Sequence, residues 1–144
     1  MDEYPPPYVF DVRALCAWAG VTGNESALIL AEIGKGNVHI YSRVWKEFCE
    51  AFEEESETLP KDKFERLRVL DGHKLQAGAM LDKADGLFKP KGPWDDCTEA
   101  IVAGIAGCES GTVVTDAREK PRYEAVDGLA VLTFEEYMAT LLDH

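Results

Sequence analysis

Four acidic residues stand at positions where packed surface is expected. Asp11 closes the apolar run Tyr8-Val9-Phe10, and Asp116 closes Thr112-Val113-Val114-Thr115. Glu99 interrupts the otherwise apolar stretch from Thr98 to Ala106, where Val102, Ala103 and Ala106 surround it on the helix face. Glu47 falls about 40° from Ala51 on a helical wheel, at the border of the stripe Val44, Phe48, Ala51 and Phe52. A carboxylate held against such surface costs several kcal/mol unless it is hydrogen-bonded, paired or bound to a metal. Four that converge raise one another's pKa and repel unless a cation sits among them. Oxygen donors without histidine or cysteine suit Mg²⁺ or Mn²⁺, hard ions that act on phosphates. Asp95 and Asp96, one turn before Glu99, can share or replace its role.

The elements that must carry these acids follow from apolar spacing and capping residues. A strand over 8–11 ends on Asp11 and leads into a helix over 14–19. Asn24 is placed to cap a helix over 25–33, and the Gly34-Lys35-Gly36-Asn37 turn precedes a strand over 38–41. Ser42 is placed to cap a helix over 43–55 that carries Glu47. The more polar stretch that follows reads as helices over 61–70 and 73–84. A helix over 95–107, a strand over 112–115 and a strand over 129–132 come next. The chain closes with a helix that Thr133 and Glu136 start as a capping box. The order predicts an α/β fold, a three-layer α/β/α sandwich around a mainly parallel sheet of four to five strands. Sites in such sheets form beyond the carboxyl ends of the strands, where Asp11 and Asp116 both fall.

Composition narrows the function classes. A chain of 144 residues is expected to be one domain, 1–144, with a core that needs no staples. Lys and Arg number 15 against 27 Asp and Glu, a net charge of -12 that repels polyanions and disfavours non-specific nucleic-acid binding. Cleavage of nucleic acid through bound cations stays open. Cys16, Cys49, Cys97 and Cys108 form no Cys-x-x-Cys pair, which speaks against a zinc site or a disulfide framework and for a reducing compartment. The acidic, proline-rich start Met1-Asp2-Glu3-Tyr4-Pro5-Pro6-Pro7 is unlike a signal peptide, so the expected location is cytoplasmic and off the membrane. An aspartyl-phosphatase centre at Asp11 would want Asp-x-Asp, and Arg13 breaks that pattern.

With these residues in order, the chain resembles the PIN-domain ribonucleases, many of which are the toxin halves of bacterial toxin-antitoxin pairs. The resemblance lies in Val9-Phe10-Asp11, Val44-Trp45-Lys46-Glu47, Glu99 to Ala106, and Val113-Val114-Thr115-Asp116. It implies that Asp11, Glu47, Glu99 and Asp116 hold Mg²⁺ or Mn²⁺, and that the protein hydrolyses RNA with a metal-activated water. It also leaves room for an antitoxin-like protein partner and a homodimer. The chain departs from the family at two positions: Arg13 replaces the usual Ser, Thr or Asn two residues after the first acid, and Glu99 replaces the usual Asp. Arg13 can hold an RNA phosphate, or it can take the metal's place and leave an inactive module that binds a protein. Thr115 joins it as a site-modulating residue. Lys89, Lys91, Arg118, Lys120 and Arg122 can touch phosphates or be ordinary surface charge.

Overall fold

In the computed structural model, residues 3–81, 97–126 and 128–142 are described. Four strands, β1 (Tyr8–Phe10), β2 (Val38–His39), β3 (Thr112–Thr115) and β4 (Ala130–Thr133), form one sheet in the order β2-β1-β3-β4. Every pairing is parallel, as crossovers through helices require. Val9 and Phe10 face Val113 and Val114, a register that sets Asp11 beside Thr115 just past the strand ends. Val9, Phe10, Val113 and Val114 are completely buried, which explains why the middles of both central strands are apolar.

Helices cover both faces. They are α1 (Val12–Ala19), α2 (Gly23–Gly34), α3 (Ser42–Ala51), α4 (Glu53–Thr58), α5 (Asp71–Leu81), α6 (Thr98–Cys108), α7 (Lys120–Glu124) and α8 (Phe134–Leu142). The fold is therefore the expected three-layer sandwich, with a sheet of four strands among the described residues. The Phe10 ring meets Trp18, Phe134 and Tyr137 edge-on, at centroid distances of 6.4, 6.0 and 5.5 Å, which ties β1 to α1 and α8. Helix α6 is buried on nearly every side, from Ala100 through Ala106. Its Gly104 lets α5 come so close that a Cβ there would lie 2.6 Å from the Ala77 Cβ and from the His73 carbonyl oxygen.

Several local expectations are corrected. Thr22, and not Asn24, caps α2, accepting from the Glu25 backbone N–H at 3.2 Å. Ser42 is the first residue of α3 and makes no cap; Tyr41 precedes it without a side-chain bond to the helix. The helix expected over 43–55 breaks at Phe52, whose φ of -134° and ψ of 61° separate α3 from α4. Residues 61–70 hold only a 3₁₀ turn, Lys61–Lys63. Leu67 then lies beside Tyr41, its N–H donating to the Ile40 carbonyl and its carbonyl accepting from Ser42, each at 2.8 Å, so this extended segment covers part of the sheet edge. The helix α7 was not expected at all. The capping box at α8 forms as anticipated, with Thr133 N–H donating to Glu136 Oε1 at 2.9 Å and Glu136 N–H to Thr133 Oγ1 at 3.1 Å.

Candidate functional site

Asp11 leaves β1 as the N-cap of α1, so the strand that buries Phe10 also fixes this carboxylate at the sheet's carboxyl end. It is 3% exposed. Its Oδ1 accepts from the Ala14 N–H at 2.9 Å, and its Oδ2 accepts from the Thr115 hydroxyl at 2.5 Å and the Tyr123 hydroxyl at 2.9 Å. Burial lifts its pKa from 3.8 to about 7; the three hydrogen bonds pull the other way and the nearby Asp116 charge adds to the rise. Tyr123 is wholly buried, and burial, together with the Asp11 and Glu99 charges, holds its phenol well above the usual range, so it stays a donor.

Asp11, Glu47 and Glu99 line one cleft of ≈ 190 Å³ with Arg13, Phe52 and Tyr123. Three segments far apart in the chain thus deliver a carboxylate to one place. Glu47 projects from α3, and its Oε2 is buried with no hydrogen-bond partner among the described residues. Glu99 sits in the first turn of α6, where the Cys97 thiol, raised in pKa by burial, contacts its Oε2 at 3.6 Å. Asp116 is not among the cleft's lining residues. It follows Thr115 at the border, where its Oδ1 accepts from the Glu119 N–H at 2.8 Å and its charge acts on Asp11. No three of the four acids bring oxygens within 4.8 Å of one another, so Asp11, Glu47 and Glu99 line the cleft without closing on one point. Asp95, Asp96, Lys89 and Lys91 lie outside the described residues.

A buried carboxylate oxygen without a donor is the kind of atom a hard cation satisfies. The orphaned Glu47 Oε2 and an all-oxygen donor set fit Mg²⁺ or Mn²⁺. Among the described residues the one compact group of ligand types lies elsewhere, at His73, Cys108 and Glu109. Leu70 N–H donates to His73 Nδ1 at 3.1 Å, so the ring proton is on Nε2, which donates to Glu109 at 2.8 Å. That tautomer leaves no lone pair on Nε2 for a metal, and the histidine instead joins the start of α5 to the end of α6. A larger cavity of ≈ 500 Å³ beside β2 shares no lining residue with the acidic cleft, and its own acids, Asp62 and Glu65, are exposed.

Arg13 points its guanidinium over the Phe52 ring, 5.7 Å from the centroid. Among the described residues it pairs with none of the carboxylates beside it. Tyr123 is the residue that sequence reading missed. Its signal was Pro121, which suits the first turn of a helix and marks the start of α7.

The architecture is that of the PIN-like fold. Two solved structures share it: DNA-bound VapBC from Salmonella typhimurium, with a TM-score of 0.64 at 17% identity over 90% of this chain and 98% of that one, and PAE2754 from Pyrobaculum aerophilum, with a TM-score of 0.62 at 17% identity over 99% of this chain and 92% of that one. At such identity the likeness defines the fold alone. No protein-family model matches the sequence, and no curated protein matches it.

Proposed function

We propose that the protein is a divalent-metal-dependent RNA endonuclease of the PIN type, built as one domain. The observation that carries this reading is the orphaned Glu47 Oε2 in a cleft shared with Asp11 and Glu99. Asp11, Glu47, Glu99 and Asp116 are the residues proposed to hold Mg²⁺ or Mn²⁺, with Asp95 and Asp96 as further candidates. When bound, the ion would supply a water activated at neutral pH and offset charge on the leaving oxygen.

The chain's own residues set the conditions for that chemistry. Thr115, Tyr123 and the Ala14 N–H fix the Asp11 carboxyl in one orientation, so it needs no rearrangement to act as a ligand. The buried phenol of Tyr123 and the apolar stem of α6 keep bulk water from the floor of the cleft. The alternative, an inactive protein-binding module with Arg13 in the metal's place, wants an ion pair from Arg13 to these acids, and Arg13 lies on Phe52 instead. An antitoxin-like protein partner, a cytoplasmic setting and a homodimer are further parts of this proposal, in keeping with the fold shared with DNA-bound VapBC.

The test is cleavage of single-stranded RNA by wild type, Asp11→Asn and Glu47→Gln with Mg²⁺ or Mn²⁺ and with chelator. Metal-dependent cutting by wild type and its loss in both variants is the expected result. Cutting that survives either substitution, or proceeds in chelator, would refute the assignment.

A further inference from the structure

Arg13 occupies a position that helix stability does not favour. It lies in the first turn of α1, a helix whose first turn holds no acid. A cation at this end opposes the helix dipole, at a cost of a few tenths to about 1 kcal/mol. Such a cost is usually offset by a partner, yet the guanidinium makes no hydrogen bond or ion pair with any described residue. The guanidinium lies over the face of Phe52, 5.7 Å from the ring centroid. Arg122, which senses the Glu99 charge, is instead tied to Glu119 at 2.9 Å.

An aromatic face orients a guanidinium without consuming its N–H donors, which lie in the guanidinium plane. Phe52 is itself held by the break between α3 and α4 and by Phe48, whose ring stacks on it with centroids 6.1 Å apart. The break that sequence reading missed therefore builds the platform under Arg13. The result is a cation with unspent, planar donors in a cleft whose other charged lining groups among the described residues, Asp11, Glu47 and Glu99, are all acids. Carboxylates repel a phosphodiester, and among the described lining residues Arg13 is the group whose charge attracts one.

We propose that Arg13, braced by Phe52, is a phosphate subsite that binds the non-bridging oxygens of an RNA phosphodiester entering the acidic cleft. The subsite rests on the nuclease reading for its substrate, but it stands or falls on RNA binding, which is measured apart from cleavage. A guanidinium meets two phosphate oxygens through parallel N–H donors, a contact that an ammonium reproduces only as a point charge.

The experiment compares full-length wild type, Arg13→Ala, Arg13→Lys and Phe52→Leu, each checked for folding by its urea midpoint. Fluorescence anisotropy with a short labelled single-stranded RNA is recorded in chelator and in Ca²⁺ over a range of salt, and Mn²⁺ binding without RNA is measured by calorimetry. Arg13→Ala is expected to weaken RNA binding on the order of tenfold or more and to reduce the salt slope by about 0.7. Mn²⁺ affinity should stay within about twofold of wild type, since Arg13 pairs with none of the acids. Arg13→Lys should keep the salt slope yet recover only part of the affinity, and Phe52→Leu should weaken binding a few-fold. RNA binding unchanged in Arg13→Ala, or Mn²⁺ binding that tightens tenfold in it, would overturn the subsite; the second result would instead place the guanidinium in competition with the metal. If wild type neither binds Mn²⁺ nor cuts RNA while Arg13→Ala still loses RNA affinity, the subsite holds and the nuclease reading falls.

Discussion

Replacing Asp11 by Asn should make the metal-free protein more stable, and by an amount that depends on pH. The carboxyl titrates at about 7 in the folded protein against 3.8 for the free group. Between those values the folded state keeps a proton that the unfolded state has lost, so stability falls as pH rises, by about 1.4 kcal/mol per pH unit. The contribution is fully present below pH 3.8, declines above it, and is gone above about pH 7, a total of about 4 kcal/mol. An asparagine has no proton to lose, and its carbonyl can still accept from the Ala14 N–H while the Thr115 and Tyr123 hydroxyls rotate to meet its amide. The assay is urea unfolding of wild type and Asp11→Asn in chelator, from pH 4.5 to 8.5. The difference between the two cancels the many other acids that titrate in both. It should grow in favour of the variant up to about pH 7 and then level off, and Mn²⁺ at about 100 times its dissociation constant should narrow it by roughly 2.7 kcal/mol by binding the wild-type carboxylate. A difference that stays flat with pH would refute the claim that burial of this carboxyl dominates its environment.

Tyr123→Phe removes one donor from Asp11 Oδ2 and should cost about 1–3 kcal/mol by urea unfolding, while moving the Asp11 transition to higher pH, because that bond favours the charged form. Gly104→Ala should cost about 1–3 kcal/mol in the same assay, since the added methyl would sit 2.6 Å from Ala77 and the His73 carbonyl and must push α5 from α6. Gly34→Ala, with nothing within 4 Å of the new Cβ, is the control and should be neutral or slightly stabilising. Thr133→Ala breaks the capping box of α8 and should lower stability by about 1 kcal/mol.

The parts of the fold that were legible in the sequence are those where one local rule coincides with burial. The strands β1 and β3 are β-prone runs closed by an acid, and both are buried to the last residue before that acid. Thr133 and Glu136 form a cap from two residues three apart, which needs no knowledge of the rest of the chain. Glu47 and Glu99 could be placed on the cleft because the apolar residues around them define a packed face. Phe52 was misread because its apolar side chain continues the stripe of α3, whereas its backbone leaves the helix. The stretch from Lys61 to Leu70 carries charge at six of its ten positions, and the extended course around Leu67 is set by pairing with Ile40 and Ser42, a long-range contact. Tyr123 lay hidden in a helix of five residues, too short for periodicity, and its role comes from a hydroxyl that reaches a carboxylate 112 positions away.

Crystals of wild type and Glu47→Gln soaked in Mn²⁺, with anomalous diffraction recorded at the manganese edge, test the metal centre most directly. An anomalous peak is expected within bonding distance of Glu47 Oε2 and at least one oxygen of Asp11, Glu99 or Asp116, weakened or absent in the variant. Manganese bound only at exposed surface acids, or an Arg13 guanidinium filling the space among the carboxylates, would contradict it.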